Sequence, residues 1–112
     1  MSVLENAIKH YQSLDRIEVE VKEWNTKIYA TKMTVGETAS VQKRATKNGL
    51  VDETLMAIYL IIIKSEDETG EKMFDMTQDT INKLLNQTDR DIVLRIAGAL
   101  VDSPEMPDLK KK

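Results

Sequence analysis

Apolar and polar positions along the chain fall into segments of two periods, one of two residues and one near 3.6. From Leu55 to Ile63 the pattern has no charged or strongly polar side chain. A run of that length cannot cross a bilayer, which takes about 20 apolar residues. It predicts a central element over Asp52–Lys64, buried on most sides. Asp52 suits an N-cap, and Glu53 sets an anion at the positive end of the helix dipole, so a helix is expected. Leu55, Ile58, Tyr59 and Ile62 are its expected core face, widened by Met56 and Ile63. The isoleucine-rich second half keeps a strand as the alternative.

The rest of the chain arranges itself on either side. Ser2–Ser13 predicts an amphipathic helix. Ser2 with Glu5 matches a capping box, and Leu4, Ala7, Ile8, Tyr11 and Leu14 share a stripe. That stripe has two readings, a helix on the domain's own core or an arm on a neighbouring copy. His10 lies off it and reads as a solvated residue. Ile17–Val21 alternates strictly, which predicts a half-buried strand. Glu23–Asn25 gives a turn, and Thr26–Met33 a second strand, pairing as an antiparallel hairpin. Glu18 and Glu20 on its polar face suggest ion pairs with Lys27 or Lys32. Trp24 at the tip is either an anchor folding back on a helix or an exposed contact.

Thr34 with Glu37 is a second capping box, opening a helix to about Thr46 whose expected apolar face is Val35, Ala39, Val41 and Ala45. Lys43, Arg44 and Lys47 form a small basic cluster that reads as a solvated helix end. Asn48-Gly49 is a stop and turn signal. Beyond the central helix, Ser65–Glu71 is an acidic loop, and Lys72-Met73-Phe74 a short island that could add a third strand to the hairpin. Thr77 predicts the cap of a helix to about Asn86, with Ile81, Leu84 and Leu85 inward. Thr88 with Asp91 predicts the start of a last helix with a stripe of Ile92, Val93, Ile96, Ala97, Leu100 and Val101. The expectation is a mostly helical α+β domain over residues 1–101, with a small antiparallel β-hairpin or three-stranded sheet. Residues 1–14 form its N-terminal helix, and 102–112 form a mobile tail.

Composition narrows function more than fold. With 112 residues the chain is expected to form one domain, and 41% hydrophobic with 31% charged residues is a globular balance. A net charge of -3 gives no basic surplus for nucleic acid. The helix pair after Thr77 looks superficially like a helix-turn-helix. Its second helix opens on Thr88-Asp89-Arg90-Asp91, where two acids would face phosphates. The chain has no Cys, hence no thiolate metal site and no Cys nucleophile, and His10 is the only histidine. The acidic loop lacks the ligand spacing of a calcium-binding EF-hand. No Gly-rich phosphate loop occurs, and no two carboxylates are placed to split their pKa values. No enzyme, cofactor, metal, nucleic acid or membrane is expected. The N-terminus lacks a secretion signal, so a cytoplasmic location is expected.

The order of elements carries a resemblance. A hairpin with Trp24 at its turn leads to the Thr34-Val35-Gly36-Glu37 helix start. An Asp52-led apolar helix follows, then Asp67, Gly70 and Phe74, a short Thr77 helix and a last helix. Over about Ile17–Leu100 this resembles the tail assembly chaperones of long-tailed bacteriophages. The resemblance implies a protein made in the host bacterial cytoplasm and absent from the mature virion. It implies binding to the tape measure protein, which is kept soluble while tail tube subunits polymerise, and it implies homo-oligomers. The tail tube protein is a further candidate partner. A small structural or adaptor component of a tail or head is the alternative. Candidates for partner or self-contact are Leu4, Ile8, Tyr11, Trp24, Ile92, Ile96 and Leu100.

Members of that family are commonly made in two lengths, by a ribosome slipping back one nucleotide into an overlapping frame. Lys110-Lys111-Lys112 ends the chain after the Pro104–Pro107 segment. Consecutive lysine codons can supply the run of A that slippage favours. The expected outcome of reading the gene is an A-rich heptamer at these codons with an open overlapping frame beyond. Mixed lysine codons with no second frame would refute it.

Overall fold

The apolar run is a helix, α3 (Glu53–Lys64), and the Asp52 side chain caps it by accepting from the Leu55 N–H at 3.1 Å. The computed structural model describes residues 2–101. The expected tail at 102–112 and its lysine run lie outside the described residues. Before α3 come α1 (Val3–Ser13), β1 (Ile17–Val21), β2 (Thr26–Ala30), α2 (Val35–Ala45), β3 (Thr46–Lys47) and β4 (Leu50–Val51). After it come α4 (Gln78–Gln87) and α5 (Arg90–Val101). Five helices and two short antiparallel pairs make a mostly helical α+β protein.

α3 is the hub because α2, α4 and α5 all pack on it. Leu55, Ile58 and Ile62 are buried as expected, while Tyr59 is only half-buried. The expected face was too narrow: Ala57, Leu60 and Ile61 are buried too. A helix covered on several sides has no single inward stripe for periodicity to find.

β1 and β2 pair antiparallel, with Ile17 opposite Ala30, Val19 opposite Ile28 and Val21 opposite Thr26. This face, led by Val21, Ile28 and Ala30, joins the core, and β1 packs on α5. A turn of 3-10 helix, Lys22–Trp24, joins the strands, and Asn25 closes it at φ 53°. The left-handed conformation is one that asparagine tolerates. On the outer face Lys27 pairs with Glu18 at 3.2 Å.

The third strand does not form. Glu66 alone bridges the free edge of β2, exchanging two backbone hydrogen bonds with Tyr29 at 2.9 and 2.8 Å, and Lys72 in turn bridges to Glu66. The acidic loop folds on itself: the Asp67 carboxylate accepts from the Thr69 hydroxyl and from the Thr69 and Glu71 N–H groups. The Thr69 hydroxyl and these amides hold its pKa below the ordinary value. Arg16 ties the loop down, donating to the Asp67 and Glu68 carbonyls while lying 4.9 Å over the Tyr29 ring.

Three helix details differ from expectation. On α2, Val35 is 89% exposed and Ala39 is also exposed, while Val41 and Ala45 are buried. At 100° per residue the two pairs lie roughly 120° apart and cannot share a face. The inner face instead runs through Thr34, Glu37, Thr38, Val41 and Ala45. On α4, Ile81 and Leu84 are buried but Leu85 points outward. The N-cap of α5 is Asp89, which accepts from the Asp91 N–H at 2.8 Å. Thr88 instead ends α4, donating its hydroxyl to the Leu84 carbonyl.

Ile58 is 1% exposed at the centre of this arrangement. An Ile58→Asp substitution buries an unpaired charge and is expected to cost more than about 4 kcal/mol, enough to abolish the native fold. Thermal denaturation followed by circular dichroism is the check. A cooperative melt like that of the native chain would mean that α3 is not the centre of the fold.

Candidate functional site: an exposed helix and two grooves

α1 forms as its sequence predicts, with both halves of the Ser2–Glu5 capping box in place. It does not pack on the core, and the own-core reading of its stripe is corrected: the helix buries no residue. Val3 is 84%, Leu4 70% and Ile8 49% exposed. Its attachment lies at the other end. The half-buried Tyr11 donates its hydroxyl to the Lys32 carbonyl at 2.6 Å, and Leu14 is half-buried. An 11-residue helix with so little tertiary support is marginal in water, where isolated helices need about 12–15 residues.

The remaining contact candidates separate by burial. Trp24 folds back and packs, half-buried, against the core cluster. Beside it Arg95 on α5 grips Glu23 with both nitrogens, at 3.0 and 2.6 Å. The Arg95 fork, helped by the Glu23 backbone, holds that carboxyl down at about 2. Both side chains are about half exposed, so solvent screens the pair and its share of stability is small. Ile96 and Leu100 are fully buried, and Ile92 is half-buried against the core. Those stripe residues close the domain's own interior and leave no side chain for a partner to reach. Periodicity marks which face is apolar but not what covers it.

Two apolar grooves flank α3. One, of about 370 Å³, runs between α3 and α5 and is lined by Glu53, Met56, Ala57, Leu60, Leu94, Ala97, Gly98 and Val101. It exists because small residues occur where the helices face outward: Ala57, Ala97 and Gly98 leave room that larger side chains would fill. The other, of about 470 Å³, lies between the start of α2, the end of α3 and the segment after Lys72. Gly36, Ser40, Ile62, Ile63, Phe74 and Met76 line it, with Glu37 and Lys72 as its charged members.

The second groove is backed by a buried ion pair that the sequence reading missed. Lys64, at the end of α3, is 1% exposed. Its ammonium donates to Glu37 Oε1 at 2.9 Å, to the Thr31 hydroxyl at 2.8 Å and to the Lys32 carbonyl at 3.4 Å. Glu37 Oε1 also accepts the Thr34 N–H, so one carboxylate both caps α2 and neutralises α3's lysine. Partial burial pushes the Glu37 carboxyl up, but the Thr34 N–H and the Lys64 ammonium outweigh it and hold the pKa below its ordinary value. The signal was a capping-box glutamate on a helix whose inner face is polar. Nothing in the sequence pairs it with a lysine 27 residues on. Next to Lys64, Ser65 buries its hydroxyl without a hydrogen-bond partner.

Breaking this pair from either side has unequal consequences. Glu37→Gln preserves the cap but leaves the buried ammonium without a counter-charge, and is expected to cost about 2–3 kcal/mol, the lower part of the range for a broken buried pair because Glu37 is one-third exposed. Lys64→Met removes the charge and keeps the stem, so its cost is expected to be smaller, and adding it to Glu37→Gln should recover stability. Because folding lowers the Glu37 pKa, its contribution is complete above the unfolded carboxylate value and fades as pH falls through the folded one. Urea titrations at neutral pH and below pH about 4 measure both effects. A Glu37→Gln chain as stable as the native one at neutral pH overturns the account.

Among the described residues no three His, Cys, Asp or Glu side chains stand close enough to hold a metal ion. His10 is exposed on α1, and no described helix is long and apolar enough to cross a membrane. The chemistry these surfaces offer is apolar contact. Comparison with known proteins adds no relative: no family model, no curated protein and no solved structure matches this chain.

Proposed function

We propose that the chain is a non-enzymatic tail assembly chaperone of a long-tailed bacteriophage. In that role it binds the tape measure protein and keeps it soluble while the tail tube is assembled. The observation that supports this reading most is the apolar surface left uncovered by so small a domain. One terminal helix is bare along its apolar side, and two grooves of about 370 and 470 Å³ flank the central helix. The sequence order from the Trp24 hairpin to the last helix, with its resemblance to such chaperones, supplies the identity of the partner.

The physical role follows from the second groove. An amphipathic helix binds an apolar groove through side chains at i, i+3, i+4 and i+7. Ile62, Ile63, Phe74 and Met76 would take such a stripe, and Glu37 and Lys72 would set its orientation. Covering stripes of a long helical protein in this way keeps them from one another, which is what solubility requires. In this reading the protein acts in the host cytoplasm and leaves before the particle is complete.

Co-expression with the tape measure protein of the same phage is expected to raise that protein's soluble yield, and the two should co-purify. The contact is apolar, so the complex should persist in moderate salt that would dissolve a charge-driven one. Mass spectrometry of purified virions should not find the chain. Stoichiometric copies there would make it a structural or adaptor component instead, and unchanged solubility with both proteins well expressed would count against chaperoning.

A further inference from the structure

We propose that α1 is an exchange arm: Leu4 and Ile8 of one copy seat in the α3–α5 groove of a second copy. The chain carries two uncovered apolar features of opposite shape. α1 is convex, with Leu4 and Ile8 one helical turn apart and 70% and 49% exposed. The groove is concave, and its floor is made of Ala57, Ala97 and Gly98, whose small side chains leave space for two aliphatic ones. The charges also match. Glu53 is the groove's one charged lining residue, and Lys9 directly follows Ile8, so seating Ile8 brings an ammonium to the rim where that carboxylate stands.

A second copy fits better than the arm's own domain. Tyr11 is held at the Lys32 carbonyl, and Lys64 from the end of α3 reaches that same carbonyl. The groove lies around the opposite half of α3, from Glu53 to Leu60. With its C-terminal half fixed there, α1 leaves its Leu4 side bare in its own copy. Reciprocal exchange between two copies uses each arm and each groove once, which gives a closed two-fold dimer with no surplus surface to extend it. The remaining groove, beside Glu37, stays open to another partner. This inference rests on α1 and the α3–α5 groove alone and does not depend on the proposed function.

Light scattering on the full chain tests it with two variants from opposite sides of the contact. Leu4→Asp with Ile8→Asp disables the arm at exposed positions. Gly98→Arg fills the groove, and an added Cβ at Gly98 meets nothing within 4 Å, so the helix can accept it. The native chain is expected to approach twice its 12.8 kDa as concentration rises. Each variant should stay at the single-copy mass with the native circular dichroism spectrum, its self-association weakened by about 100-fold. If Gly98→Arg loses that spectrum, Val101→Arg, at a half-exposed position on the same groove, takes its place. A native chain that is monomeric throughout overturns the proposal. So does an arm variant that still dimerises. A groove variant that dimerises like the native chain overturns it as well, and would point to pairing of α1 with α1.

Discussion

Everything in this fold answers to the burial of α3. Its twelve residues include seven that are buried, on more than one side, so no single neighbour can cover it. α2, α4 and α5 divide the task, and the hairpin closes what α5 leaves open along β1. Burying an aliphatic side chain contributes about 1.5–3 kcal/mol, and most of the apolar residues of a small domain are drawn into this one cluster. The residues that remain outside it are therefore few and informative. α1 is outside because the core is already complete without it.

The ion pair of Lys64 and Glu37 lies within the same constraint. α3 ends on a lysine that a solvated helix terminus would leave in water, yet α2 and the strand β2 close over it. A buried ammonium is tolerated only with a counter-charge and hydrogen bonds, and Glu37, Thr31 and the Lys32 carbonyl supply them. The arrangement ties three segments to one nitrogen. It also sets a polar back wall behind an otherwise apolar groove, so the interior and the surface there share one carboxylate.

What could be read from the sequence was local. Capping boxes at Ser2–Glu5 and Thr34–Glu37, the Asp52 cap, the alternation of Ile17–Val21 and the left-handed turn residue Asn25 are each decided within a few residues, and each is present. The errors arose where a distant neighbour decides. Ile96 and Leu100 were apolar on the right face, but the core rather than a partner covers them. Lys64 was read as the end of a run, because its partner lies on another helix. Val35 and Ala39 were grouped with Val41 and Ala45 although helical geometry separates them, an error that residue angles alone could have avoided. Thr88 lost its cap to Asp89 by a single position, since both side chains can accept at a helix start. The grooves were not legible at all: a groove is made by the absence of bulk at Ala57, Ala97 and Gly98, and small residues leave no periodic signal.

The connection between α2 and α3 has a consequence for how the chain reaches this state. β3 and β4 pair Thr46 with Val51 and Lys47 with Leu50 across Asn48 and Gly49, both at positive φ, as a two-residue turn of this kind requires. The Ala45 carbonyl accepts from the Asp52 N–H at 2.8 Å, so the end of one helix is bonded directly to the cap of the next. α2 and α3 thus meet across a loop of only a few residues. The hairpin and the α4–α5 pair are equally local. A chain assembled from three such units closes few long loops on its way to the native state, and topologies of this kind fold quickly. The stretch with the most to lose from exposure, Leu55–Ile63, is the one whose first neighbour arrives soonest.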